Sequence, residues 1–122
     1  MLTLFIRHTS ASLVIQENVD PDVQRDIEGF LDRLVRENPS LYRHDIEGPD
    51  DMPAHIKGAL TQTHLAIPVS NGRMMLGRYQ GIYLCEHRTT PRRREVVLHL
   101  SLPQPVKNCT EPKARGFFTS GG

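Results

Sequence analysis

Residues 44–55, HDIEGPDDMPAH, set a histidine at either end of four carboxylates, a glycine and two prolines. Gly48-Pro49 allows the chain to turn back, which would bring the His44 and His55 imidazoles together. Neutral imidazole is a common metal ligand, and a third histidine such as His8 would complete a three-ligand set with an open position. The plainer reading makes Asp51 a helix cap, Pro49 and Pro53 stiffeners of the turn, and the histidines solvated. The spacing matches no strict zinc motif, so both readings stand on these residues alone.

Three further groups could carry chemistry. Arg7-His8-Thr9-Ser10-Ala11-Ser12 puts a histidine and three hydroxyls at a strand end, where a phosphate or carboxylate could be received. No elbow glycine or triad order accompanies these serines, and a polar strand end is the plainer account. In the run from Gln80 to Glu86, strand alternation puts both end residues on the face shared with Ile82 and Leu84. A carboxylate there is costly unless paired, so Glu86 either meets water or faces a site. Six residues of strand separate Gln80 from Glu86 by roughly 20 Å, too far for one pocket without a bulge or a second subunit. Arg92, Arg93 and Arg94 form a basic cluster: a solvated turn in most settings, an oxyanion clamp beside a site.

The elements that would position these groups can be read from periodicity. Residues 2–7 alternate as a strand, and 12–17 form a β-branched strand that is either its hairpin partner or its bent continuation. Asp20-Pro21 starts a helix whose Val23, Ile27, Phe30, Leu31 and Leu34 predict one buried stripe, ended by Asn38-Pro39. A second, shorter helix starts at Asp51. Strands are expected over LAIPV, RMML, QGIYLCE and EVVLHLSL, with Asn71-Gly72 as a hairpin turn. Strands, two helices and more strands predict an α+β domain, mainly antiparallel, over residues 1–102. Residues 103–122, rich in proline and glycine without periodicity, read as a disordered tail.

The chain has 122 residues, fifteen basic and fourteen acidic, for a formal charge of +1. That balance offers no global field for nucleic acid or an anionic membrane, so any anion must be bound locally. Cys85 and Cys109 make no disulfide framework, and no apolar stretch has membrane length; a cytoplasmic location is expected.

HTSASLVIQEN, YRHDIEGPDDMPAHIK, IPVSNGRMMLG and QGIYLCEHR, in unbroken order between about Leu2 and Leu100, resemble the signature blocks of the YjbQ family of secondary thiamine-phosphate synthases. The resemblance implies a small β-sandwich-like α+β fold, a homotrimer with sheets packed about a threefold axis, and synthase activity. It places the family's polar signature on His8, Thr9, Ser10, Ser12 and Glu17, on His44, Asp51, His55 and Lys57, and on Gln80, Glu86 and Arg94. Three features depart from the family pattern. Members generally begin with a further N-terminal segment, so this shortened form is expected to have an uncovered sheet edge. Arg78 and Tyr79 stand where Thr and Trp are usual, and the tail after Leu102 is unlike the family's short ending.

On the implied reaction, a pyrimidine methyl diphosphate loses pyrophosphate and a thiazole phosphate nitrogen attacks the cationic carbon. Lys57 and Arg94 would then hold phosphate, and Glu86 or Asp51 would bind Mg²⁺. His8, Ser10, His44 and His55 would line the pocket. Thr9, Ser12, Glu17 and Gln80 are expected among the substrate contacts. Two alternatives accompany this expectation. One is a histidine-ligated divalent metal such as Zn²⁺, acting on another small phosphorylated or carboxylated compound. The other is a trimeric, non-enzymatic ligand-binding protein.

Overall fold

Alternation in the first strand points Leu4 and Ile6 to one side, and the fold is built on what meets them. A computed structural model describes residues 1–102 and the backbone of Thr119–Ser120. Its elements are β1 (Leu2–Ile6), β2 (Ala11–Glu17), α1 (Pro21–Leu34), a 3-10 turn (Pro39–Leu41), α2 (Asp51–Leu60), β3 (His64–Ile67), β4 (Val69–Ser70), β5 (Arg73–Met74), β6 (Gln80–Glu86), β7 (Val96–Leu100) and β8 (Thr119–Ser120). The rest of the expected tail, 103–118 and 121–122, lies outside the described residues.

β1 pairs antiparallel with β3 and β7 in one three-stranded sheet. β2 pairs antiparallel with β6 in the other, and β8 meets β6 in parallel at Tyr83 and Leu84. The first two strands are thus neither a hairpin nor one bent strand: the polar link of residues 7–10 carries the chain from one sheet to the other. Leu4, Ile6, Leu65 and Ile67 from the first sheet meet Ala11, Leu13 and Ile82 from the second in one core. Strict alternation makes this possible, since apolar residues on one face of each strand suffice to fill the space between two sheets. Among the described residues, β8 is the only strand on the far side of β6, so most of that edge has no paired neighbour.

Asn71 and Gly72 both adopt positive φ, 52° and 74°, and close the β4–β5 hairpin as their types predict. The Asp20 carboxylate accepts from the Asp22 amide at 2.9 Å and caps α1, with Pro21 at the first helical position. The expected burial of the α1 stripe is not found: no residue of the helix is buried, and Ile27, Phe30 and Leu34 are exposed. Periodicity marks which face of a helix is apolar, and burial then requires a surface within reach. Here α1 stands off β2 and β6, leaving a groove between them. α2 packs closely instead. A Cβ on its Gly58 would lie 2.9 Å from the Thr9 carbonyl oxygen, so glycine permits the approach to the link after β1.

Candidate metal centre

Asp51 is a buried carboxylate at the first position of α2. It is not the helix cap that the sequence suggests. The cap position belongs to Asp50, whose carboxylate makes no capping hydrogen bond. Both acids instead turn toward Arg88, just beyond β6. Arg88 Nη1 donates to Asp51 Oδ1 at 2.8 Å, Nε donates to Asp50 Oδ2 at 2.9 Å, and Nη2 donates to the Glu47 carbonyl at 2.8 Å. The Thr89 amide adds a bond to Asp50 at 3.0 Å. A planar guanidinium suits this task, since its fixed fork can satisfy several acceptors together. The hydrogen bond from Arg88 holds the Asp50 carboxyl well below the usual carboxylate range. For Asp51, burial opposes ionisation, but the His44 hydrogen bond and the charges of His55 and Arg88 outweigh it, and the net displacement is also downward.

With Oδ1 held by Arg88, Asp51 Oδ2 faces two histidines. His44 Nε2 lies 2.7 Å from it and His55 Nε2 3.1 Å from it. The two rings stand edge to face with centroids 5.4 Å apart. The turn through Gly48, at φ 105°, brings His44 back to α2, while His55 and Asp51 are one helical turn apart on the same face. One ligand atom from each of His44, Asp51 and His55 lies within 4.8 Å of the other two. Asp51 thus occupies the third position that the sequence reading gave to His8.

His55 constrains the chemistry further. Its Nδ1 lies 3.2 Å from the Thr9 carbonyl oxygen, which can only accept, so Nδ1 carries the proton. Its Nε2 faces an ionised carboxylate, which also only accepts. An imidazole with an acceptor at each nitrogen is either the imidazolium form or a cation ligand through Nε2. A carbonyl fixing the far ring nitrogen is the usual second contact of a metal-binding histidine. His44 and His55 keep side-chain exposures of 41% and 31% above the buried acid, so the open side of the group faces solvent.

The other sequence-selected residues fall into separate places. Arg94 binds Glu86 through Nε at 2.6 Å and through a second, shorter contact from Nη2. The same Nη2 donates to the Ser10 hydroxyl at 3.0 Å and to the Ser10 carbonyl at 3.1 Å. Burial opposes Glu86 ionisation, but the Arg94 hydrogen bond wins and the carboxyl sits below its ordinary range. Ser12, fully buried, pairs with His87 Nε2 at 2.8 Å. Lys57 reaches Asp32 of α1 at 2.5 Å. His8 Nε2 accepts from the Glu95 amide at 2.7 Å, and Thr9 contributes its carbonyl to His55. Gln80 Oε1 accepts from the Gly77 amide at 2.7 Å, and Gln80 pairs with Glu17 at the end of the β2–β6 ladder opposite Glu86. Glu17 Oε2 is a buried oxygen without a hydrogen-bond partner among the described residues.

Sequence reasoning selected neither Asp50, His87 nor Arg88. The available signal was charge complementarity: a Glu-His-Arg run at a strand end and an Asp-Asp pair at a helix start.

Comparison with known proteins is consistent across the domain. The model of the family described as UPF0047 protein YjbQ-like matches residues 1–102. The UPF0047 protein sll1880 of Synechocystis is 56% identical over 101 residues, covering 83% of this chain and 69% of its own length. The UPF0047 protein YjbQ of Escherichia coli O157:H7 is 47% identical over 100 residues, covering 82% and 72%. Among solved structures, the conserved hypothetical protein TT1486 of Thermus thermophilus superposes with a TM-score of 0.75 at 39% identity, over 82% of this chain and 76% of its own. A YjbQ/UPF0047 family protein of Clostridium acetobutylicum does so with a TM-score of 0.72 at 38% identity, over 80% and 72%.

Proposed function

The chain belongs to the UPF0047 family of YjbQ-like proteins, and from that premise we propose that His44, Asp51 and His55 bind a divalent cation that serves a reaction on a small phosphorylated or carboxylated compound. The observation that carries this reading is the convergence of one ligand atom each from His44, Asp51 and His55 within 4.8 Å of one another, with the far nitrogen of His55 set on the Thr9 carbonyl. Two imidazoles and one carboxylate suit Zn²⁺ or another first-row transition ion better than Mg²⁺, which prefers an oxygen set. A cation there supplies Lewis acidity toward a phosphoryl or carboxyl oxygen. The chain's own part is to hold Asp51 in one orientation through Arg88 and to fix His55 through Thr9.

The finer reading, thiamine-phosphate synthesis with release of pyrophosphate, asks for free cationic groups around the leaving diphosphate. Of the two cations that the resemblance assigns to phosphate, Arg94 is committed to Glu86 and Lys57 to the exposed Asp32, while Arg92 and Arg93 are exposed. That reading therefore draws its support from the sequence resemblance more than from the geometry. A homotrimer in the cytoplasm fits either. The outer face of the first sheet, with Thr3, Phe5, His64, Ala66, Val97 and His99 in register, is uncharged up to the Arg7–Glu95 ion pair at its end and is suited to self-association.

Equilibrium dialysis against Zn²⁺, Mn²⁺ and Mg²⁺ tests the cation, and turnover assays on phosphorylated and carboxylated compounds with the loaded protein test the reaction. Near one Zn²⁺ per chain, lost in His55→Ala, and metal-dependent turnover are expected. Absence of binding in the unaltered chain would remove the reading.

A further inference from the structure

Lys57 follows His55 by two residues and therefore leaves α2 on another side from the Asp51–His55 face. It lines the groove between α1 and the second sheet, whose volume is about 710 Å³, within the range of small-molecule sites. Val14 and Tyr83 of the second sheet line one side, and Ile27 and Leu31 of α1 with Val35 just after it line the other. Lys57 and His87 both line it and are electrostatic neighbours.

These two polar groups are poised for an anion. His87 is half-buried and holds Ser12 through Nε2; its other ring nitrogen has no hydrogen-bond partner among the described residues. Burial and the neighbouring Lys57 charge push its pKa down to about 4, so the ring is neutral near pH 7. In the tautomer where the Ser12 hydroxyl donates to Nε2, Nδ1–H is left as a donor. The Lys57 side chain is 12% exposed, whereas its partner Asp32 is 69% exposed. An acid seated deeper in the groove can replace Asp32 on the ammonium in drier surroundings, where the pair is stronger. Of the other charged lining residues, Glu86 and Arg88 are held in ion pairs, and Glu28 and Glu37 outnumber Arg36, which opposes ligands of higher negative charge.

We propose that this groove is a second binding site, which takes an amphipathic monoanion: an apolar chain or ring between α1 and β6, with a carboxylate head at Lys57 and His87. It requires no metal and stands or falls separately from the cation site.

The test is NMR titration of the full chain, labelled at histidine rings and methyl groups, with decanoate, methyl decanoate and inorganic phosphate. Decanoate should saturably shift the His87 ring and the Val14 and Leu31 methyls, while phosphate leaves the methyls in place. Lys57→Gln should weaken decanoate at least tenfold, and methyl decanoate should be weaker by a similar factor. Leu31→Glu, or Ile27→Glu should the first variant fail to fold, should abolish the methyl shifts while amide dispersion is retained. The proposal is overturned by decanoate that leaves the groove methyls unmoved. It is equally overturned by binding that Lys57→Gln does not weaken, by binding that survives the wall variant, or by an ester that binds as tightly as the acid.

Discussion

α1 is the longer helix, with a clear apolar stripe, yet none of its fourteen residues is buried; α2 has ten residues and buries four, one of them an acid. The difference lies in what each helix meets. α2 presents Gly58 to the link after β1 and Asp51 to Arg88, two contacts that hold it at close range. α1 is joined to α2 by the Lys57–Asp32 ion pair and leaves its apolar face over a groove. The helix with the more strongly amphipathic pattern is thus the looser, and the candidate site sits on the one fixed by a polar network. An acid buried with its charge compensated on both oxygens can be presented in one orientation, which an acid on a mobile surface cannot.

Breaking the α2 network should have the largest effect. Arg88→Gln leaves Asp50 and Asp51 without their shared cation, and removal of one partner from a buried ionic group costs about 3–5 kcal/mol. Urea unfolding should show that loss as a lower midpoint. Glycine substitution sharpens the comparison. Gly58→Ala forces a Cβ to 2.9 Å from a backbone carbonyl and should destabilise by about 1–3 kcal/mol. Gly29→Ala in α1 meets only the flexible end of Arg33, at 3.3 Å, and should be neutral or stabilising by up to about 1 kcal/mol. Thermal melts of the two variants should therefore move in opposite directions or differ clearly in size.

A smaller effect is expected from pH. His87 has a folded pKa of about 4 against an ordinary value of 6.5, so the unfolded chain takes up a proton first as pH falls. Its contribution is fully present above about pH 6.5 and is lost progressively down to about pH 4. Asp51 and Glu86, both displaced downward, add a further loss as pH falls below the ordinary carboxylate range. Melting temperature should accordingly decline between pH 7 and 4.5, and His87→Gln should flatten the upper part of that decline by on the order of 1 kcal/mol.

Much of the fold was legible because its signals are local. Asp20-Pro21 caps and starts α1, Asn71-Gly72 closes its hairpin, and the alternation of Leu2–Ile6 and Val96–Leu100 gives strands. The sheet assignment of β1 and β2 was not legible, because pairing partners are chosen across the chain and a four-residue polar link is compatible with either outcome. The candidate site was partly legible. His44 and His55 were selected for their type and for the turn between them, and Asp51 came with the family blocks. Its role depends on Arg88, some 37 residues away, and on the far ring nitrogen of His55 meeting a carbonyl. Such contacts are set by packing, and no spacing rule encodes them.

The most direct test of the central claim is titration of the metal-free chain with Co²⁺, followed by visible absorption, in parallel with Asp51→Asn. One equivalent with ligand-field bands, weakened at least about 100-fold in the variant, is the expected result for a site in which Asp51 is a ligand. No saturable absorption in the unaltered chain, or the same affinity in both proteins, would contradict it and leave His44, Asp51 and His55 as a structural ion-pair group.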